Sequence, residues 1–246
     1  MAQAWQGKRY WLIGASEGLG RALAIAMAKA GAEVIVSARS RDRLDDLVAE
    51  IGANARAVTV DVSDRASVEA AAAEVGPVDG MIYLAGVYWP MKSQDWDAAR
   101  AEAMAEINFL GGLRAVGAVL PAMLARGSGH IVLTGSLSGF RGLPGAIGYG
   151  ASKAGLMYLA ESLQADLRTS PIKVQVANPG FIKTRLTDKN DFAMPFIMTP
   201  EAAAETMLRF MERGTFKISF PRVFSWLFRL SQFLPDWAYY RLFGTK

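Results

Sequence analysis

The chain has 246 residues, 52% of them hydrophobic, which is enough to bury a full core in one domain spanning residues 1–246. It contains no cysteine, which excludes disulfides, thiolate metal sites and cysteine nucleophiles, and no histidine–carboxylate cluster has metal-ligand spacing, so no metal is expected. The net charge of +4 sits after Thr215, where Lys217, Arg222, Arg229, Arg241 and Lys246 face only Asp236; no basic stripe crosses the main body, which argues against nucleic-acid binding.

Residues 1–11 lack the apolar core of a signal peptide. No run of 18 apolar residues occurs, so nothing is expected to span a membrane and the reading is cytoplasmic. Residues 10–13 read as an apolar strand. It runs into Gly14-Ala15-Ser16-Glu17-Gly18-Leu19-Gly20 and then into a helical pattern over 21–30, stopped by Gly31. Strand, glycine turn and helix make the setting of a phosphate-binding turn. Gly14 permits the tight turn, Gly18 lets the backbone approach a pyrophosphate, and Gly20 lets the helix pack on the sheet. The helix start supplies free N–H donors and partial positive charge to an anion. The spacing is G-x-x-x-G-x-G, and a glycine-rich turn without a ligand is the plain alternative.

A second strand over 33–36 leads into Ser37-Ala38-Arg39-Ser40, and no acid occurs until Asp42. An NAD-preferring site wants an acid here for the ribose 2′-hydroxyl. Arg39, Arg41 and Arg43 stand there instead, with Ser40 among them, and a guanidinium suits a 2′-phosphate. NADP(H) is therefore favoured over NAD(H). Against it stand Glu17, an acid in the phosphate turn, and the alternative of solvated arginines pairing with Asp45 and Asp46.

A third strand over 57–60 ends in Asp61-Val62. A fourth over 81–84 ends in Ala85-Gly86, small enough to leave room for a flat ring. A helical pattern over about 96–124 carries Asn108 in an apolar stretch. A buried asparagine must find partners or cost on the order of 1–3 kcal/mol. It is read either as a site residue or as a helix-kinking residue bonded to backbone.

Residues 130–134 form a strand, with His130 at its start read as structural. A Gly/Ser/Pro-rich loop over 135–148 follows, and a helix from about residue 151. Tyr149 and Lys153, four apart, share one helical face, and Ser136 precedes the tyrosine by 13 positions at a strand end. A unit charge at about 4 Å contributes roughly 4 kcal/mol at an effective dielectric near 20. That predicts a Tyr149 pKa lowered from about 10 by as much as about 3, the scale a general acid at neutral pH needs.

Together these residues resemble the short-chain dehydrogenase/reductase family, in its single-domain Tyr-x-x-x-Lys branch, from about residue 9 to 184. The motifs are Gly14-x-x-x-Gly18-x-Gly20, Asp61, Ala85-Gly86, Asn108, Ser136, Tyr149-x-x-x-Lys153 and Asn178-Pro179-Gly180 with Thr184. The resemblance implies an α/β Rossmann-type doubly wound parallel sheet of about seven strands in three layers, assembled as a homodimer or homotetramer. It implies Tyr149 as proton donor or acceptor and Lys153 as the group that lowers its pKa and holds the nicotinamide ribose. Ser136 would orient the substrate carbonyl, and Asn108 would hold a water relaying protons to Lys153. Ser16, Glu17 and Leu19 complete the phosphate turn. Asp61 and Val62 would contact adenine, Pro179, Gly180, Ile182 and Thr184 would line the nicotinamide, and Arg39 with Ser40 occupies the 2′-phosphate position. Ile13, Tyr83 and Leu84 depart from the family pattern.

The activity expected is NADP(H)-dependent interconversion of a carbonyl and a secondary alcohol, on an apolar ketone. The alternatives are an NAD-dependent alcohol dehydrogenase and a non-catalytic nucleotide-sensing protein. Residues 185–199 carry Phe192, Met194, Phe196, Ile197 and Met198, read equally as a greasy substrate cover or ordinary packing. A helix from Pro200 to about Arg213 and a strand over 216–220 follow. In the extension 221–246, Arg222, Ser225, Arg229, Gln232 and Asp236 form a narrow polar stripe opposite a wide apolar face. That tail is read as packing on a partner subunit or roofing the pocket, as lying in a membrane interface, or as disordered.

Overall fold

The computed structural model describes residues 2–244, so Lys246 lies outside the described residues. Seven strands form one parallel sheet: β1 (Arg9–Ile13), β2 (Glu33–Ala38), β3 (Ala55–Thr59), β4 (Gly80–Tyr83), β5 (Gly129–Thr134), β6 (Ile172–Pro179) and β7 (Lys217–Phe220). Their order is β3-β2-β1-β4-β5-β6-β7. The helices are α1 (Ala2–Trp5), α2 (Gly18–Lys29), α3 (Arg41–Ile51), α4 (Arg65–Val75), α5 (Ala98–Ala105), α6 (Gly111–Arg126), α7 (Ile147–Asp166), α8 (Pro200–Glu212), α9 (Arg222–Ser231) and α10 (Asp236–Phe243).

The strands read as apolar runs because both faces of the sheet are covered. Trp11, Leu12 and Ile13 of β1 are all buried. Leu12 joins a core with Leu23, Leu44 and Phe210 from α2, α3 and α8. Trp11 and Ile13 join a second core with Val68, Val116 and Leu156 from α4, α6 and α7. Each such aliphatic side chain stabilises the fold by about 1.5–3 kcal/mol. Strand order reverses between β1 and β4, the point where a sheet of this kind opens a crevice at its carboxyl ends.

Two sequence expectations need correction, the extent of the helix over 96–124 and the start of the helix that carries Tyr149. The helical pattern over 96–124 is interrupted: a wide π turn, Glu106–Leu110, separates α5 from α6 and carries Asn108. The helical stretch 98–126 has a mean hydropathy of 1.5 over an 18-residue window, enough to span a membrane by composition. Its inner residues, among them Gly111, Ala115 and Met123, pack in the core, so it is a layer helix of the sandwich. Helix α7 starts at Ile147, before residue 151, which puts Tyr149 in its first turn.

The tail is ordered and turned differently from its sequence pattern. Ser225, read as polar surface, is buried, and so is Ser231; they donate to the carbonyls of Arg222 and Phe228, each at 2.8 Å. Phe224 and Phe228 point inward, while Val223, Leu227, Leu230 and Phe233 face outward. Arg141 fastens the tail to the loop before α7. It donates to the carbonyls of Ser231 (2.8 Å) and Leu234 (2.7 Å) and to Asp236 (2.6 Å), and it lies 3.9 Å above the Tyr239 ring.

Candidate active site

The cleft at the carboxyl ends of the strands has a volume of about 610 Å³. All eighteen residues expected to hold a dinucleotide line it, from Gly14 through Thr184. The turn after β1 is tight: Gly14 has φ +94°, and a Cβ there would lie 2.4 Å from the Ala85 nitrogen. Gly18 has φ +55°, and a Cβ there would lie 2.8 Å from the Thr184 methyl. Helix α2 opens with Glu17 extended and without a side-chain cap, whereas α4, α5 and α8 are capped by Asp64, Asp97 and Thr199. Its first N–H groups are thus left for an anion.

The arginine cluster separates into three fates. Arg41 pairs with Asp45 at 2.9 Å, as the structural alternative expected. Arg43 pairs with Glu17 at 2.9 Å, and Arg185 binds the same carboxylate at 2.8 Å. Arg39 lines the cleft without a carboxylate partner among the described residues. Asp61 accepts from the Ser63 amide (3.0 Å) and hydroxyl (2.6 Å), which hold its carboxyl below the usual range, with the Arg39 charge adding to this.

The polar centre is built from three elements. Asn108 Oδ1 accepts from the Val87 amide at 2.7 Å, and its Nδ2 donates to the Val87 carbonyl (3.0 Å) and to Ser152 Oγ (2.9 Å). Ser152 in turn donates to the Tyr149 carbonyl at 2.9 Å. The asparagine thereby ties the loop after β4 to the first turn of α7. Lys153 Nζ, buried at 4% exposure, donates to the Thr134 carbonyl at 2.8 Å and lies 5.8 Å from the centre of the Tyr149 ring. A Cβ on Gly86 would lie 3.3 Å from Asn108 Oδ1 and 3.6 Å from Lys153 Nζ, so both face one spot. Ser136 Oγ accepts from the Ser138 amide (3.2 Å) and hydroxyl (3.0 Å), leaving its own proton free to donate.

The expected lowering of the Tyr149 pKa is not what this site does at rest. Burial pushes the phenol up to about 12, only partly offset by the adjacent Ser136 hydroxyl. Burial also pushes the Lys153 ammonium down to about 8. The spacing argument counted the ammonium's attraction and not the desolvation of both groups, and desolvation wins.

A second cavity of about 600 Å³ meets the cleft at Tyr149. Tyr88, Met91, Leu143, Phe181, Phe192 and Phe228 give it an apolar wall, with Ser136 beside Tyr149. Among the described residues Tyr149 is the only titratable side chain that lines both spaces. Sequence reasoning missed Ser138 and Ser152, which position the pair, and Tyr88, whose ring lies 5.0 Å edge-on from that of Tyr149. It also missed Thr187, whose hydroxyl accepts from the Thr184 amide (3.0 Å) and donates to the Ile182 carbonyl (2.8 Å). Ser152 could have been found as the residue before Lys153, on the helix that carries the tyrosine; Thr187 gave no signal.

The short chain dehydrogenase family matches the sequence over residues 8–193. The chain belongs to this family. This short-chain dehydrogenase is 36% identical over 232 residues to an uncharacterized oxidoreductase of Myxococcus xanthus (strain DK1622), covering 92% of each chain. It is 34% identical over 192 residues to the 3-oxoacyl-acyl-carrier-protein reductase FabG of Escherichia coli (strain K12), covering 74% of this chain and 77% of that one. A solved actinorhodin polyketide ketoreductase variant with NADPH superposes with a TM-score of 0.80 at 26% identity, over 87% of this chain and 95% of that one. The short-chain dehydrogenase is thus an oxidoreductase acting on CH-OH or C=O groups, of a family that binds NAD(P).

Proposed function

We propose that the protein is an NADP(H)-dependent carbonyl reductase for an apolar ketone, with Tyr149 as general acid. The observation that carries this reading is Tyr149 standing where the nucleotide cleft and the apolar cavity meet, beside Ser136 and one turn before Lys153. The residues present fit a dinucleotide. The glycine turn closes on Ala85 with no space for a Cβ. Lys153 has three N–H donors and a single acceptor among the described residues, and Thr134 Oγ1 in the cleft wall is buried without a partner. These are groups that ribose hydroxyls would satisfy.

A bound nicotinamide supplies the hydride. The chain supplies the rest. Ser136 and Tyr149 donate to the substrate oxygen, where negative charge grows during reduction. Tyr149 then gives its phenolic proton to that oxygen, and the Lys153 ammonium stabilises the phenolate left behind. The phenol, raised by burial, is in the protonated form that a general acid in reduction needs. Asn108 keeps the loop after β4 against α7 and faces Lys153, where a relay water would sit. Arg39, without a carboxylate partner, and Ser40 support NADP(H) over NAD(H). A homodimer or homotetramer would use the surface of α6 and α7, where Leu113, Leu124 and Tyr158 are exposed.

The test is Tyr149→Phe, assayed for NADPH binding by fluorescence and for ketone-dependent NADPH oxidation over a carbonyl panel. Binding should persist and turnover should drop by several orders. Substantial residual turnover removes Tyr149 from its role.

A further inference from the structure

We infer that α9 and the link to α10 lie in the interface of an anionic lipid bilayer, and that the substrate cavity opens there to take a ketone carried on an acyl chain out of the membrane. The substrate half of this inference rests on the carbonyl-reductase reading; the docking half does not.

Helix α9 is apolar on two sides. Phe224 and Phe228, one turn apart, wall the substrate cavity. Val223, Trp226, Leu227 and Leu230 recur at helical spacing on the outside, where all four are exposed. Phe233 and Trp237 extend that surface and are 84% and 75% exposed. A soluble surface rarely gathers so much apolar area without a partner for it. The patch continues to the cavity rim. Phe196 is 57% exposed and lies 5.7 Å from the Phe224 ring, and Phe192 lines the cavity while 51% exposed. Phe192 therefore belongs both to the cavity wall and to the outer surface, and Phe224 joins the exposed Phe196 to that wall.

The charge pattern names the occupant. Arg222, Arg229 and Arg241 are exposed around the patch, and none pairs with a carboxylate among the described residues. Arg229 lies 4.8 Å above the Trp226 ring, keeping its charge at the patch edge. The nearest tail acid, Asp236, is already held by Arg141. A positive rim around aromatic and aliphatic side chains fits an anionic headgroup layer above acyl chains. A second copy of the same face would set arginines against arginines, and Asp236, the one acid among the described tail residues, is already taken by Arg141. With 10 residues α9 is too short to cross a bilayer and must lie along it.

The experiment compares the full chain with Leu230→Ser/Phe233→Ser, both sites being surface positions away from the catalytic groups. Wild type should float with phosphatidylcholine vesicles containing phosphatidylglycerol, not with phosphatidylcholine alone, and release with salt. The double variant should lose this binding at least tenfold. Reduction of 2-decanone dissolved in anionic vesicles should drop at least tenfold in the variant, while reduction of soluble cyclohexanone stays within twofold. Equal flotation of both proteins overturns the docking, as does a wild-type dimer that dissociates in the variant without any vesicle binding. Anionic flotation with no vesicle-dependent gain on 2-decanone overturns the membrane route for the substrate. Flotation together with no reduction of either ketone overturns the substrate half and leaves the docking supported.

Discussion

Lys153 Nζ donates to the Thr134 carbonyl at the end of β5, at 2.8 Å, and this anchor holds a buried ammonium in place before any ligand arrives. The arrangement costs stability. Unfolded, this lysine titrates near 10.5; folded, it is pushed down to about 8.

Lys153→Met should therefore be more stable than wild type at pH 7, by up to about 3 kcal/mol, while losing activity. The sign with pH follows from proton uptake. Below pH 8 both states carry the proton and the penalty is full. Between about 8 and 10.5 the unfolded chain binds more protons, so wild-type stability rises with pH and the gap to the variant closes. Urea unfolding of both proteins at pH 7, 9 and 10.5 measures this. A variant less stable at every pH contradicts it.

Tyr83 replaces a residue type the family usually has before Ala85-Gly86, and the structure gives it a task. Its buried hydroxyl donates to the Ile107 carbonyl, inside the wide turn that presents Asn108. A Cβ on Gly111 would lie 2.3 Å from the same hydroxyl, so Tyr83 and Gly111 form one unit. Tyr83→Phe should cost about 1–3 kcal/mol and lower kcat with NADPH affinity unchanged. Gly111→Ala should cost at least as much alone, and the double variant should be less damaged than the sum. Strict additivity in unfolding experiments would falsify the coupling.

How much of this was legible depends on how local each feature is. The glycine turn and the Ser136, Tyr149 and Lys153 spacings are readable because one turn and one helix carry them. Strand β6 went unplaced, although Lys173 and Gln175 alternate with valines, a pattern that reads as a strand with one face toward water. Gln175 is instead buried, donating to the carbonyls of Phe210, Arg213 and Thr215. The turning of α9 was hidden because a helix apolar on both sides does not say which side is inside. The Tyr149 pKa was misread for a related reason: charge spacing is written in the sequence, and desolvation is not.

Arg39→Ala should weaken NADPH binding about tenfold or more and leave NADH nearly unaffected, read by fluorescence titration. Glu17→Gln should move the preference the other way. It removes a carboxylate that occupies Arg43 and Arg185 at the mouth of the cleft, freeing both guanidiniums for a phosphate. An unchanged NADPH affinity in Arg39→Ala defeats the NADP(H) assignment.

His130 provides an acid-sensitive contact far from the chemistry, at the opposite end of β5 from Thr134. Gln175 Nε2 is committed to three carbonyls, so its Oε1 must accept from His130 Nε2 at 2.8 Å. The other ring nitrogen then accepts from the Tyr10 hydroxyl, also at 2.8 Å. The ring is neutral in the fold, and burial pushes it down to about 3. The unfolded histidine takes a proton near 6.5. Stability should thus be complete above about 6.5 and fall as pH drops from there toward 3, by up to about 1.4 kcal/mol per pH unit. His130→Gln should be less stable at pH 7 and lack that slope, with carboxylate contributions cancelling in the difference. Its kcat at pH 7 should stay within about twofold of wild type, because no residue of this contact reaches the cleft. Equal acid slopes in the two proteins rule the contact out as the source, and a large loss of kcat would mean His130 acts on the site.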